Sequence, residues 1–150
     1  MTIIQTQSTF CFSAEAQLHK DGTVTTSGNP AYGGDSSAVQ HLLKDVTKLF
    51  STDGAFAALK TDGTVVTWGI PEQGGDSRAV HDRLNNVIAI CASNYAFAAL
   101  KQNGTVVTWG HPDDGGNSTA VKNDLINIQT IILHEYGFTA IRSDGVHISW

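Results

Sequence analysis

The sequence predicts a mainly β protein, arranged as an array of about four three-stranded antiparallel units with short helices in the linkers. Three observations carry that expectation. The string DGTV or its near equivalents DGTVVTWG, NGTVVTWG and DGVHISW begins at Asp21, Asp62, Asn103 and Asp144, a constant spacing of 41 residues. Aligned at that period without a gap, residues 51–91 and 92–132 agree at 22 of 41 positions, so the chain is an internal repeat and has to be read one unit at a time. Within each unit the apolar period changes from that of strands to that of a helix.

The units run approximately over 1–45, 46–86, 87–127 and 128–150, within one repeat domain of 150 residues. The first unit opens with a strand somewhere in Thr2 to Phe10. It is the most divergent copy, with Ser27 where the others place Trp68, Trp109 and Trp150, yet it keeps Leu18, Gly22, Gly28, Pro30 and Gly33-Gly34-Asp35-Ser36. Val46–Ser51, Val87–Ala92 and Ile128–Leu133 read as the corresponding strands of later units. Ala55–Lys60 and Thr64–Trp68 flank Thr61-Asp62-Gly63, a hairpin signal because glycine supplies the positive φ of the turn. Ala96–Lys101 with Thr105–Trp109, and Gly137–Arg142 with Val146–Trp150, repeat it. Phe56, Ala58, Val66 and Trp68 alternate with Ala57, Leu59, Val65 and Thr67, so both faces of these sheets are expected to be covered.

After each hairpin comes a Pro-x-x-Gly-Gly linker and then a helical spacing: Val39, Leu43 and Val46; Val80, Leu84 and Val87; Val121, Leu125 and Ile128. Short helices are expected near residues 36–45, 77–86 and 118–127, with Asp35-Ser36, Asp76-Ser77 and Asn117-Ser118 as N-caps. The fourth unit ends at Trp150 without such a return. A β-trefoil also uses three repeats of about this length, but helical returns fit it poorly.

Composition narrows the function. With 41% hydrophobic and 15% charged residues the chain can bury a core, and no apolar run approaches membrane-spanning length. A formal net charge of −5 disfavours nucleic acid, whose backbone is bound by basic surfaces. No secretory signal is visible, so the expected location is cytoplasmic, or outside the cell by a route needing no such signal. Cys11 and Cys91 fall at different repeat positions and are read as small buried hydrophobes rather than as a disulfide or nucleophile. The six histidines, His19, His41, His81, His111, His134 and His147, show no ligand spacing. The GGDS runs lack the alternating oxygens of a calcium loop. No metal, cofactor or catalytic constellation is expected, and an enzyme is disfavoured.

The repeating core, VTKLFSTDGAFAALKTDGTVVTWG and VIAICASNYAFAALKQNGTVVTWG, resembles the regulator of chromosome condensation repeat, a β-propeller blade. Its short period and A-L-K-x-x-G-x-V-x-x-W-G rhythm are similar to the three-stranded blades of the second type of β-lactamase inhibitory protein. The resemblance spans essentially the whole chain and implies a propeller-like array. Two departures accompany it: those relatives close seven blades in one chain, and the helical GGDS segment replaces the inhibitor's extended linker. Neither nucleotide exchange nor any β-lactamase contact residue is carried over.

Strand direction sorts the loops. The loops after first strands share one end, here the upper, with the Pro-x-x-Gly-Gly linkers; the Asp-Gly turns share the lower end. The lower end carries His19, Lys60, Lys101 and Arg142 at equivalent positions, read as solvated residues flanking the turns. The tryptophans are read as blade core rather than as sugar-stacking platforms. The upper end holds what differs between copies: Tyr32, Glu72, Gln73, His111, Asp113 and Asp114 from linkers, and Asp53, Asn94, Tyr95, His134, Glu135 and Tyr136 from the other loops. Loops on a rigid scaffold are the usual seat of binding, so these are the candidate binding residues. The expected function is a non-catalytic binding module for a protein partner. The alternatives are a glycan-binding lectin or toxin-associated module, favoured by repeated equivalent sites, and a self-assembling structural subunit. Apolar faces expected on the first and last blades would make the chain a homodimer completing a ring of blades.

Overall fold

The computed structural model describes residues 5–11, 13–134 and 136–150. These residues form four three-stranded antiparallel sheets. Blade 1 comprises β1 (Gln5–Cys11), β2 (Ala14–His19) and β3 (Val24–Gly28); blade 2 comprises β4 (Val46–Ser51), β5 (Ala55–Lys60) and β6 (Val65–Gly69). Blade 3 holds β7 (Val87–Ala92), β8 (Ala96–Lys101) and β9 (Val106–Gly110), and blade 4 holds β10 (Ile128–His134), β11 (Gly137–Arg142) and β12 (His147–Ser149). Each blade pairs in sequence order, so its first and third strands are the edges. Along the array β1 lies beside β4, β4 beside β7 and β7 beside β10, which makes the first strands the inner side and the third strands the outer. Residues 2–4 of the expected N-terminal strand lie outside the described residues.

The core lies between sheets. Ala14, Ala16, Leu18 and Val24 of blade 1 meet Phe56, Ala58, Val66 and Trp68 of blade 2. Ala55, Ala57, Leu59 and Val65, the other face of blade 2, meet Phe97, Ala99, Val107 and Trp109 of blade 3. Ala96 and Ala98 meet Phe138, and Leu100 meets Ala140 and Ile148. Strand β5 is buried along Ala55–Leu59 without a break, as a strand covered on both faces must be. Alanine at the centre lets the sheets approach, and each buried phenylalanine adds about 1.5–3 kcal/mol of burial free energy. Trp68 and Trp109 are buried core residues, and the Trp150 ring lies 5.7 Å from that of Phe138.

The linkers carry short 3-10 helices: η1 (Pro30–Tyr32), η2 (Gln40–Leu42), η3 (Pro71–Gln73), η4 (Arg78–Arg83), η5 (Pro112–Asp114) and η6 (Thr119–Asp124). The returns are therefore tighter and shorter than the helices expected over 36–45, 77–86 and 118–127. Leu43, Leu84 and Leu125 already lie outside the helices, with ψ near 60°, and Asp45, Asn86 and Asn127 follow with positive φ, which turns the chain into the next blade. The expected apolar trios do face the core: Val80, Leu84 and Val87 are all buried. The capping pair divides its work. Asp35, Asp76 and Asn117 accept from the amides of Ser37, Arg78 and Thr119, whereas the Ser36, Ser77 and Ser118 hydroxyls bond Thr26, Thr67 and Thr108 at 2.8–2.9 Å and pin each linker to its third strand.

The expected apolar end faces are only partly present. Where blades 2 to 4 present Phe and Trp to the preceding blade, blade 1 has Glu15 paired with Ser27, followed by Gln17 paired with Thr25. On the far side of blade 4, Thr139, His147 and Ser149 replace the alanine, valine and threonine of blade 2, and the Thr139 and Ser149 hydroxyls bond at 2.7 Å. Each outer face also keeps an exposed apolar side chain among these polar groups, Phe10 paired with Glu15 and Ile132 paired with Thr139, and these mixed faces give no support to the expected two-chain ring.

Candidate functional site

The upper end is a rim of loops whose backbones are fixed in the same way from blade to blade. In blade 2, Thr52 Oγ1 donates to the Gln73 carbonyl at 2.8 Å and accepts from the Ala55 N–H at 3.0 Å. In blade 3, Ser93 Oγ donates to the Asp114 carbonyl at 2.7 Å and accepts from the Ala96 N–H at 3.1 Å. In blade 1 the Cys11 thiol takes that place and reaches the Tyr32 carbonyl at 2.8 Å. Ile70 N–H donates to Gly54 and His111 N–H to Tyr95, closing each linker onto its loop. Asp53 N–H then donates to the Asn94 carbonyl at 2.7 Å, which joins the rims of blades 2 and 3.

These bonds consume main-chain atoms and leave half of the described candidate side chains turned outward. Glu72, Asn94, Asp113, His134 and Tyr136 are exposed, the last at 65%. Tyr32, Gln73, Tyr95, His111 and Asp114 are partly buried; Glu135 lies outside the described residues. The structure gathers one true cluster from the candidates. The Tyr95 and His111 ring centroids lie 6.3 Å apart, His111 Nδ1 accepts from the Asp113 N–H at 3.2 Å, and the Asp114 carboxylate is 3.7 Å from the same nitrogen. Tyr32 in blade 1 and His134 and Tyr136 in blade 4 stand in other blades, so the candidates form a rim and not one pocket.

Chemically the rim has contact surface and hydrogen-bonding groups. Among the described residues no group of three histidine, cysteine or acidic side chains is arranged to hold a metal ion. Burial pushes both the Cys11 and Cys91 thiols above the ordinary value, which keeps them protonated and poor nucleophiles. At the lower end the Asp21 and Asp62 carboxyls sit below the ordinary carboxylate range, because the hydroxyls and amides of Thr23 and Thr64 bond them. Arg142 there pairs with Asp144 at 2.8 Å.

Sequence reasoning missed a cleft of about 590 Å³ on the outer side, between the linkers of blades 2 and 3. Glu72, Asp76 and Arg83 from the linker of blade 2, Asn117 and Lys122 from the linker of blade 3, and Trp109 are among its lining residues. Of the candidates only Glu72 borders it. Its signal in the sequence was the helical spacing itself: Val80 and Leu125, assigned to buried helix faces, form part of its lining.

Among the described residues no helix is long and apolar enough to cross a membrane. No protein-family model matches the sequence, and no curated protein matches it. Solved structures do. Yeast RCC1 (Prp20), seen bound to Kap60, is 18% identical over all of this chain and 44% of its own, with a TM-score of 0.66. Human WBSCR16 is 16% identical over 97% of this chain and 46% of its own, with a TM-score of 0.64. The computationally designed Ika4 protein is 17% identical over 100% of this chain and 92% of its own, with a TM-score of 0.52. The chain thus spans less than half the length of the two natural proteins. Four three-stranded sheets stacked face to face, with first strands inside and linkers outside, have the fold of blades of the RCC1 β-propeller.

Proposed function

We propose that this chain is a non-catalytic binding module that recognises a protein partner through the loop rim at the upper end of its blades. One observation carries the reading: the rim backbone is locked by equivalent bonds from Cys11, Thr52 and Ser93, while the side chains it displays differ from blade to blade. A rigid frame with non-equivalent outward groups suits a protein epitope, which has no repeat of its own. A glycan site multiplied by the repeat would need the same residues at equivalent positions; Asp53, Asn94 and Glu135 differ, and the tyrosine shared by blades 3 and 4 at Tyr95 and Tyr136 is Gly54 in blade 2. The structural neighbour Prp20p of Saccharomyces cerevisiae has been studied for its binding to Gsp1p and histones, a protein-binding use of the same fold.

The test is affinity capture from native lysate with the wild-type chain and with a rim variant carrying Glu72→Ala, Asn94→Ala, Asp113→Ala and Tyr136→Ala, alongside a glycan array. A protein held by the wild type and lost by the variant supports the reading. Equal capture by both, or glycan binding that survives in the absence of any protein ligand, overturns it.

A further inference from the structure

Asn29, Ile70 and His111 stand at one position of the repeat, immediately before the Pro-x-x-Gly-Gly linkers of blades 1, 2 and 3, and they do three different things there. Asn29 Oδ1 accepts from the Ala31 N–H at 3.0 Å and caps η1. Ile70 has no acceptor, and η3 starts without a side-chain cap. His111 caps η5 through a ring nitrogen: Nδ1 accepts from the Asp113 N–H at 3.2 Å. An amide oxygen keeps its lone pairs at every ordinary pH, whereas an imidazole nitrogen accepts only while it carries no hydrogen.

The Asp114 carboxylate lies 3.7 Å from the same Nδ1, with its side chain only 14% exposed against 43% for His111. A proton taken up at Nδ1 turns that nitrogen into a donor, so the ring stops accepting from the Asp113 N–H and gains the Asp114 oxygen as its partner. The two arrangements exclude each other because one nitrogen serves both. The backbone around the ring is held in either case: the Asp114 and Gly116 N–H groups donate to the His111 carbonyl at 3.1 and 2.9 Å, and Ser93 Oγ donates to the Asp114 carbonyl at 2.7 Å. What moves is the imidazole, and with it the contact of its ring with Tyr95. The titratable groups that face it are Asp113 and Asp114 from η5 and Tyr95 from the β7–β8 loop. The neighbouring rims add Asp53, whose N–H joins Asn94 beside Tyr95, and His134, on the loop leading to Gly137, which backs Gly115.

We infer that His111 is an acid-sensitive cap: neutral, it closes η5 on the Asp113 N–H; protonated, it gives up that bond for the Asp114 carboxylate and shifts its ring against Tyr95 on the blade 3 rim. The repeat confines the effect to one blade, since neither Asn29 nor Ile70 takes up a proton. The same proton offsets one of the two carboxylates in this sector, so the surface that blade 3 displays changes in shape and in charge together. Its use as a control on partner binding rests on the reading of the rim as the contact surface; the exchange of partners inside blade 3 does not.

The experiment follows the full, isotopically labelled chain by NMR from about pH 8 to about pH 5, the window in which an ordinary imidazole changes its charge. No partner is present, so failure here and failure of the rim reading are separate results. At the upper end of the window the His111 Nδ1 resonance should be that of a nitrogen without hydrogen, and the Asp113 amide proton should lie downfield, as in a bonded cap. On acidification the Asp113 amide should move upfield with the same midpoint as the His111 ring protons, and the Tyr95 ring resonances should move with it. The repeat supplies the controls. His111→Asn, which copies blade 1, should keep the Asp113 amide in the bonded position throughout the window, and His111→Ile, which copies blade 2, should keep it in the upfield position. Both residues already occupy this place in other linkers of the chain, and a thermal melt checks that each variant folds. A hydrogen on Nδ1 at the upper end, an Asp113 amide that does not titrate with the ring, or one that titrates equally in His111→Asn and so follows His134 overturns the proposal.

Discussion

Trp68 donates its indole Nε1–H to the carbonyl of Gly33 at 3.0 Å, across the boundary between the first and second blades. Trp109 does the same to Gly74 at 3.1 Å and Trp150 to Gly115 at 3.0 Å. Each tryptophan thus ties its blade to the linker of the blade before, and its ring stands 5.3–5.7 Å from a phenylalanine of its own second strand. Each boundary thus carries one indole–carbonyl bond beside an aromatic pair, in addition to the apolar core between the sheets.

Trp109→Phe keeps an aromatic ring beside Phe97 and orphans the Gly74 carbonyl, which should cost about 1–3 kcal/mol. Trp109→Ala should cost on the order of 3–5 kcal/mol, because it also leaves a cavity. Urea denaturation of the two variants measures both, and Tyr136→Ala, at an exposed site, should remain within about 0.5 kcal/mol of the wild type.

Gly74 and Gly145 separate steric fit from backbone strain. Both have positive φ, 104° and 89°, but a Cβ at Gly74 would lie 2.5 Å from the Phe97 ring, whereas one at Gly145 meets nothing within 4 Å. Gly145→Ala should therefore lose only about 1–2 kcal/mol from the left-handed conformation. Gly74→Ala should lose more, since the aromatic layer must also move. Melting curves for the pair test the order.

Asp76 should make stability depend on acid. The Arg78 guanidinium, by hydrogen bond, and then the Arg78 backbone N–H hold its carboxyl down to about 2. A group depressed in the folded state stabilises above its unfolded value, near about 3.9, and that contribution is lost as pH falls toward 2. Carbon-detected NMR titration should place the Asp76 midpoint near 2, and Arg78→Ala should raise it without restoring the ordinary value, because the backbone N–H remains.

The polar pair Glu15 and Ser27 on the outer face of blade 1 predicts a gain of association on reversal. Glu15→Phe with Ser27→Trp recreates on blade 1 the aromatic pair that blades 2 to 4 present to a neighbour. Sedimentation of this double variant should show mass rising with concentration well above the wild type. Identical sedimentation would show that the polar residues do not cap the array.

Ala55–Lys60, Val46–Ser51, Ala96–Lys101 and Val87–Ala92 were legible as strands because their residues are β-branched, aromatic or alanine and stand at fixed distances from an Asp-Gly or Asn-Gly turn. That is local chemistry, and it recurs every 41 residues, so the sequence by itself determined the blade, the order of its strands and which loops share an end. The linker helices were legible as to face and not as to length. The apolar spacing reports which residues are buried, but the backbone leaves the helix at Leu84 to reach Asn86 and the next blade. What only the tertiary structure decided lies between blades. The Trp68 bond to Gly33, the Gln7 pairing with Leu49 and the union of Asp53 with Asn94 join residues 35, 42 and 41 positions apart. No local propensity encodes them, because each partner is supplied by a different repeat and meets the other only when the sheets stack. The same holds for the rim: its residues could be named from the chain direction, whereas the exposure of Tyr136 and the burial of the Asp114 carboxylate follow from how the linkers pack.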